Sequence, residues 1–300
     1  MATSLALNPS GTRAFPLLPR RDSAAGRAVV TTAGLVERLD PSAMSLPLAL
    51  RRSSTPPAVV TCVYRRRNAD LVTALAGPEH ERLASGTRWS SWALDESAPE
   101  LAASTVGTGP GARLELHEAM LERAVPREDD YWVITDDDVR LPAGGMQLLL
   151  RVAAAAGLDV SGPSHSYTSF WSHRFTLKRP LSIARLTHFV EIGPIVVLSP
   201  RARAALLPLP TASVTGWGLE SYWSSLRRPD LRCGLIDAVT VRHLTPMGTG
   251  YDAEAEYERG VEFAQSLGVD DFQADQRAMM TTVATWRPGQ VSPPWVVRAG

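Results

Sequence analysis

The chain is poor in features that would assign it to several protein classes at once. It has two cysteines, Cys62 and Cys233, in 300 residues. That is too few for a disulfide framework or a thiolate metal centre, so both are expected as reduced residues of the core. Lys178 is the only lysine, every other basic side chain being arginine; in a chain rich in Ala, Gly and Pro this reads as coding bias, not function. Net charge is absent too. The 31 basic and 31 acidic residues cancel, which leaves no global field to hold a nucleic-acid backbone or an anionic membrane and makes any phosphate binding local. No apolar run spans a bilayer: Met146 to Leu158 is interrupted by Arg151, and Ile192 to Leu198 is closed by Ser199-Pro200. A compact apolar leader with a cleavage pattern is also missing. Residues 1–35 are rich in Arg, Ser and Ala and poor in acid, a composition closer to a disordered extension than to an organelle transit sequence. The expectation is a cytoplasmic protein.

With 44% hydrophobic residues the chain can bury a substantial core. Residues 1–56 carry scattered Pro, Ser and Arg without a sustained period and read as a mobile or disordered arm. Residues 57–285 read as one domain, and 286–300 as a Pro-containing tail. Within the domain, apolar β-branched runs predict strands at Ala58 to Tyr64, Trp89 to Leu94, Tyr131 onward, Leu158 to Ser161, Phe189 to Leu198 (interrupted by Gly193-Pro194) and Gly234 to His243. Helical spacing predicts helices at Ala69 to Ala76, Ala112 to Ala124, Met146 to Ala156 and Ala253 to Leu267. Strands alternating with helices predict an α/β sheet with parallel strands at its centre.

Three segments carry chemistry. In Tyr131 to Arg140 a continuous apolar run ends in Asp136-Asp137-Asp138, at the strand edge where open α/β sheets place their ligands. Extended backbone sends Asp136 and Asp138 to one face and Asp137 to the other. Two hard oxygen donors on one edge suit Mg²⁺ or Mn²⁺; the alternative is a solvated acidic turn. In Thr215 to Trp223, two glycines flank Trp217, an aromatic face that could stack on a sugar ring, and Glu220 enters a helix as a candidate general base. The same residues also fit a tight turn with a packed Trp and an N-terminal helix acid. Gly234 to His243 ends in an imidazole that could complete an O,O,N metal set with Asp136 and Asp138. Glu191 lies in an apolar run, where an unpaired carboxylate is costly; it could act as a base, bind an acceptor hydroxyl, or pair with Arg185. Tyr64 and Asp95 each end an early strand and could contact a nucleotide's base and ribose.

The aspartate-tipped strand, Phe189-Val190-Glu191-Ile192, Gly216-Trp217-Gly218-Leu219-Glu220 and the strand ending in His243 together resemble the GT-A glycosyltransferases, and more narrowly the DUF707 family of glycosyltransferase-like proteins. The resemblance is clearest from Tyr131 to His243. It departs at Glu220, where that family typically has Asp. It implies a GT-A-like, Rossmann-type mixed α/β sheet with flanking helices in a single catalytic domain. It also implies a glycosyltransferase moving a hexose from a nucleotide-diphosphate donor to a hydroxyl acceptor, with Mn²⁺ or Mg²⁺ as cofactor and inversion favoured. In that scheme Asp136, Asp138 and His243 bind the metal; Tyr64, Asp95, Asp136 and Asp137 bind the donor; Trp217 and Gly218 bind the acceptor; Glu220 or Glu191 is the base. Rival readings are a non-catalytic nucleotide-sugar-binding protein and a metal-dependent phosphoesterase. The six histidines form no ligand cluster of the kind two-metal phosphoesterases need.

Overall fold

The structure is a computed structural model that describes residues 32, 40, 42–51, 53–77, 86–210, 214–246 and 248–296. Its centre is a mixed sheet of ten strands: β1 Ala58–Tyr64, β2 Thr87–Ala93, β3 Thr105–Thr108, β4 Tyr131–Thr135, β5 Val139–Arg140, β6 Val160–His165, β7 Ala184–Thr187, β8 Ile195–Leu198, β9 Cys233–His243 and β10 Thr282–Trp286. The order across the sheet is β10-β7-β9-β6-β8-β4-β1-β2-β3, with the two residues of β5 pairing the far end of β9. Strands β3, β2, β1 and β4 are mutually parallel. The antiparallel β8 separates them from the parallel pair β6 and β9, and β7 and β10 then add antiparallel pairings.

Both faces are covered, and the strand sequences explain why. In β4 the alternation of an extended chain sends Val133 into one hydrophobic cluster and Trp132 and Ile134 into the other. Neighbouring β1 divides in the same way, with Val60 on the first face and Val59 on the second. The first face packs against the helix Gly145–Ala156, whose end is closed by Gly157 in a left-handed conformation (φ 58°) that carries the chain directly into β6. The second face is covered by the helices Arg113–Arg123, Pro200–Leu206 and Leu219–Trp223. Fully buried Trp132, Trp223 and Trp286 each contribute on the order of 2–3 kcal/mol of hydrophobic stabilisation. Both cysteines are buried and unpaired, as reduced core residues, and burial pushes the Cys233 thiol up to about 12.

The structure corrects several sequence expectations. Within the span expected as an arm, Ser42–Ala49 is a helix, and Leu46 and Leu50 join the core. Arg151 donates to the Leu50 and Ser53 carbonyls and ties this segment down. Apart from Thr32, the expectation for residues 1–35 lies outside the described residues. At the other end Trp295 donates its indole N–H to Ala156 O, so part of the tail packs. The long strand expected from Phe189 shortens to Ile195–Leu198, because Pro194 has no N–H to give to a ladder. The freed stretch Phe189 to Pro194 instead reaches the edge of the cavity described below. Strand β7, with the sequence Ala-Arg-Leu-Thr, is too short to announce itself by alternation.

Candidate metal centre and cavity

Strand β4 stops at Thr135, and the next three residues form the turn into β5. Pairing of Val139 with His243 is what brings the end of β9 against this turn. Asp138 is held there by its own carbonyl, which accepts from Leu244 N–H, and His243 Nε2 stands 3.2 Å from Asp138 Oδ1. One ligand atom each from Asp136, Asp138 and His243 lies within 4.8 Å of the others. Burial alone would lower the His243 imidazole, but the Asp138 carboxylate outweighs it and holds the ring above its ordinary range. Burial would likewise raise Asp138, and His243 reverses that, leaving it below the usual carboxylate range.

Asp137 turns elsewhere. Its Oδ2 accepts from the Arg65 backbone N–H at 2.7 Å, just past the end of β1, and burial raises its carboxyl. Asp136 is gripped by Arg113, the first residue of the helix Arg113–Arg123, whose Nε and Nη2 lie 2.9 and 2.8 Å from Asp136 Oδ1. Gly193 passes close by: a Cβ at that position would sit 3.1 Å from Asp136 Oδ2, a tight contact.

These residues open into a cavity of about 330 Å³, a size suited to a small organic ligand. It lies beyond the carboxyl ends of β1 and β4, the place where parallel α/β sheets bind ligands. It is lined by Asp136, Asp138 and His243, by Arg65, Arg67 and Arg113, the last paired with Asp136, and by the aromatic rings of Phe170, Trp171, Trp217 and Tyr251. Trp217 is set by edge contacts with Tyr251 and Tyr257, at centroid distances of 6.4 and 6.3 Å.

The two candidate bases separate. Glu191 lines the cavity, with His165 Nε2 at 3.5 Å from its Oε2; His165 Nδ1 in turn is 2.8 Å from Ser169 Oγ. Burial works to raise the Glu191 carboxyl, but His165 and His173 outweigh it, so the group lies below its ordinary range. The pairing with Arg185 is corrected: Arg185 is bound to buried Asp237 instead. Glu220 is buried and does not line the cavity. Its carboxylate accepts from the backbone N–H groups of Ile192 at 3.1 Å and Gly218 at 3.2 Å, and burial pushes it up to about 7.

Three other expected contacts also fall away from the cavity. Tyr64 is fully buried, its hydroxyl 2.9 Å from Thr105 Oγ1 and accepting from Ala98 N–H. Asp95 accepts from the backbone N–H groups of Arg66 and Glu96. Gly218 is a packing glycine, since a Cβ there would lie 2.7 Å from Gly260 O in the helix Ala253–Ser266. Conversely, Arg65, Arg67 and Arg113 line the cavity without having been singled out in the sequence. The signal available was the position of Arg65-Arg66-Arg67 directly after β1.

Two carboxylates and an imidazole offer the oxygen and nitrogen donors that Mn²⁺ and related cations accept, and they face open space, so the residues fit a divalent cation. Among the described residues no helix is long and apolar enough to cross a membrane.

The mixed sheet and its flanking helices make a GT-A-like α/β fold. Among solved structures the chain is similar to GalNAc-T7, determined with UDP, GalNAc and Mn²⁺: TM-score 0.50, 8% identity, covering 69% of this chain and 48% of that one. At that identity the likeness concerns the fold, and this chain spans about half the length of that protein. The inositol-1-phosphate CTP transferase from T. maritima aligns over 70% of this chain and 97% of its own, at 8% identity and a TM-score of 0.38, too low to carry an argument. No protein-family model and no curated protein matches the sequence, so the narrower resemblance to DUF707 gains no support from them.

Proposed function

We propose that the protein is a metal-dependent glycosyltransferase that moves a sugar from a nucleotide-diphosphate donor to a hydroxyl acceptor. The observation that carries this reading is the convergence of Asp136, Asp138 and His243 at the carboxyl edge of β4, on a cavity that also holds three arginines and aromatic rings. A binding site for one simple anion has no use for Asp136 and Asp138, and one for a cation alone has no use for Arg65 and Arg67. A diphosphate joined to a sugar needs both. Asp136, Asp138 and His243 would hold the cation, Mn²⁺ or Mg²⁺, which when bound would supply positive charge to offset the negative charge developing on a departing diphosphate.

The chain's own residues do the rest. Asp137, fixed to the end of β1, and the arginines orient the donor. Trp217, braced by Tyr251 and Tyr257, offers an apolar face to the acceptor. Glu191 is the base: it lines the cavity and is ionised at neutral pH, whereas Glu220 is committed to backbone N–H groups. With its proton passed to Glu191, the acceptor oxygen would bond to the anomeric carbon on the face opposite the diphosphate as the bond to the diphosphate breaks, which gives inversion. Glu220 is assigned to shaping the wall, because its bond to Ile192 N–H fixes the residue next to Glu191.

The test is to incubate the full chain with a panel of nucleotide-diphosphate sugars, with Mn²⁺ or with chelator, and to measure release of the nucleoside diphosphate with and without candidate acceptors. Metal-dependent release that rises with an acceptor supports the reading. Metal-dependent binding of donors with no release from any of them would make the protein a nucleotide-sugar binder.

A further inference from the structure

Asp136 does two jobs that oppose each other. It belongs to the three-residue cluster, and it is the partner of Arg113, whose guanidinium donates through Nε at 2.9 Å and contacts the same oxygen through Nη2 at 2.8 Å. Neither group is loosely placed. Side-chain exposure is 17% for Arg113 and 27% for Asp136, and Arg113's backbone N–H donates to Val214 O at 2.8 Å, which pins the start of its helix. Two weaker contacts from the guanidinium to Ile192 O, at 3.4 and 3.5 Å, complete its surroundings. A charge-assisted pair of this kind in a half-buried site is strong. A free divalent cation entering the cluster must therefore share Asp136 with a fixed positive charge.

We propose that Arg113 couples the two halves of the donor site: it holds Asp136 against a free cation and releases it when a diphosphate arrives. This rests on the metal-dependent donor reading above. Arg113 lines the same cavity as Arg65 and Arg67, and a planar guanidinium fork fits phosphate oxygens as well as it fits a carboxylate. As the guanidinium turns to the phosphate, Asp136 recovers its full charge for the cation. Cation alone binds poorly, and cation with diphosphate binds well. By linkage the factor is the same in both directions, so the cation tightens the diphosphate as much as the diphosphate tightens the cation. Arg113 is thus a positioning residue that favours the loaded pair over the stray metal ion.

The experiment measures Mn²⁺ affinity of the full chain by calorimetry, alone and with inorganic pyrophosphate, with free Mn²⁺ corrected for complexation. In Arg113→Gln, free Mn²⁺ should bind roughly 10-fold more tightly than in the parent, and the gain produced by pyrophosphate should shrink by about the same factor, what remains being the direct attraction between cation and pyrophosphate. Arg113→Lys keeps the charge but loses the fork; its affinity for free Mn²⁺ should stay within about twofold of the parent, with a reduced pyrophosphate gain. It also serves as the second measurement should the glutamine variant fold poorly. A parent that binds Mn²⁺ while Arg113→Gln binds it equally or more weakly overturns the coupling and leaves the donor reading standing. A folded parent that binds no Mn²⁺ with or without pyrophosphate overturns both.

Discussion

Two aspartate sites in this molecule use the same side chain in opposite ways. Asp237, inside β9, is fully buried and saturated: it accepts from Ser164 and Ser182 hydroxyls at 2.6 Å each, from Arg179 N–H at 2.9 Å, and from Arg185. Lys178 adds a bond to the Asp237 carbonyl. Asp136 and Asp138, past the end of β4, have fewer partners and face a cavity. A carboxylate whose donors are all supplied by the protein has no capacity left for a ligand, whereas one left partly satisfied at a strand edge has. Burial and partner count, more than residue type, separate framework from function here.

The comparison is broken most severely at the framework. Asp237→Ala leaves Arg185 buried without its carboxylate and should cost about 3–5 kcal/mol, read as a large fall in the denaturation midpoint. A variant as stable as the parent would show that the network is dispensable. Asp138→Ala is the opposite case: its melting temperature should stay near the parent's while Mn²⁺ affinity falls by at least ~10²-fold, about 2.7 kcal/mol. Loss of fold together with metal would move Asp138 into the framework class.

The catalytic assignment is sharpened by exchanging the two glutamates. Glu191→Gln should lower transfer by roughly 10²-fold with donor affinity preserved, whereas Glu220→Gln should change stability with pH. The folded carboxyl of Glu220 is raised from 4.5 to about 7. Between those values the unfolded chain has released its proton and the folded one retains it, so stability falls as pH rises through that window. It is level above it. Glutamine removes this decline, on the order of 3 kcal/mol, and equal slopes in the two proteins over pH 4.5 to 7 would reject the account. The smallest effect is at Tyr64→Phe, which removes the hydroxyl's bonds for about 1 kcal/mol and should leave nucleotide affinity unchanged; weakened binding would bring Tyr64 back to the donor.

How far these sites can be read in the sequence follows from the range of the interactions involved. Strand β1 and the helix Ala69–Ala76 are written locally, in a β-branched run and in helical spacing, and fall on the residues expected. Asp136, Asp138 and His243 were legible because each ends an apolar run, and a strand end is a local signal with a spatial meaning. Partners were not legible. That a buried Glu191 needs a partner is legible, but not which one: backbone register puts Arg185 opposite Leu235, two residues from Asp237. Arg113 could not be picked out because arginine is everywhere in this chain, and only its distance to Asp136 gives it a role. Gly218 looked like a place for a ligand, and the neighbour it makes room for is Gly260, contributed by a helix much later in the chain.

The two-residue strand β5 has a consequence for how the protein is made. Asp138 leaves the ribosome long before His243, and among the described residues the ladder that joins their neighbourhoods is Val139 and Arg140 paired with the last residues of β9. Until β9 has emerged and docked between β6 and β7, the nascent chain carries its aspartates but has no third ligand to set beside them. Closing so long a loop is entropically costly and comes late. The three-residue cluster is therefore assembled only in a chain that extends past His243, and a product truncated ahead of that residue would lack it.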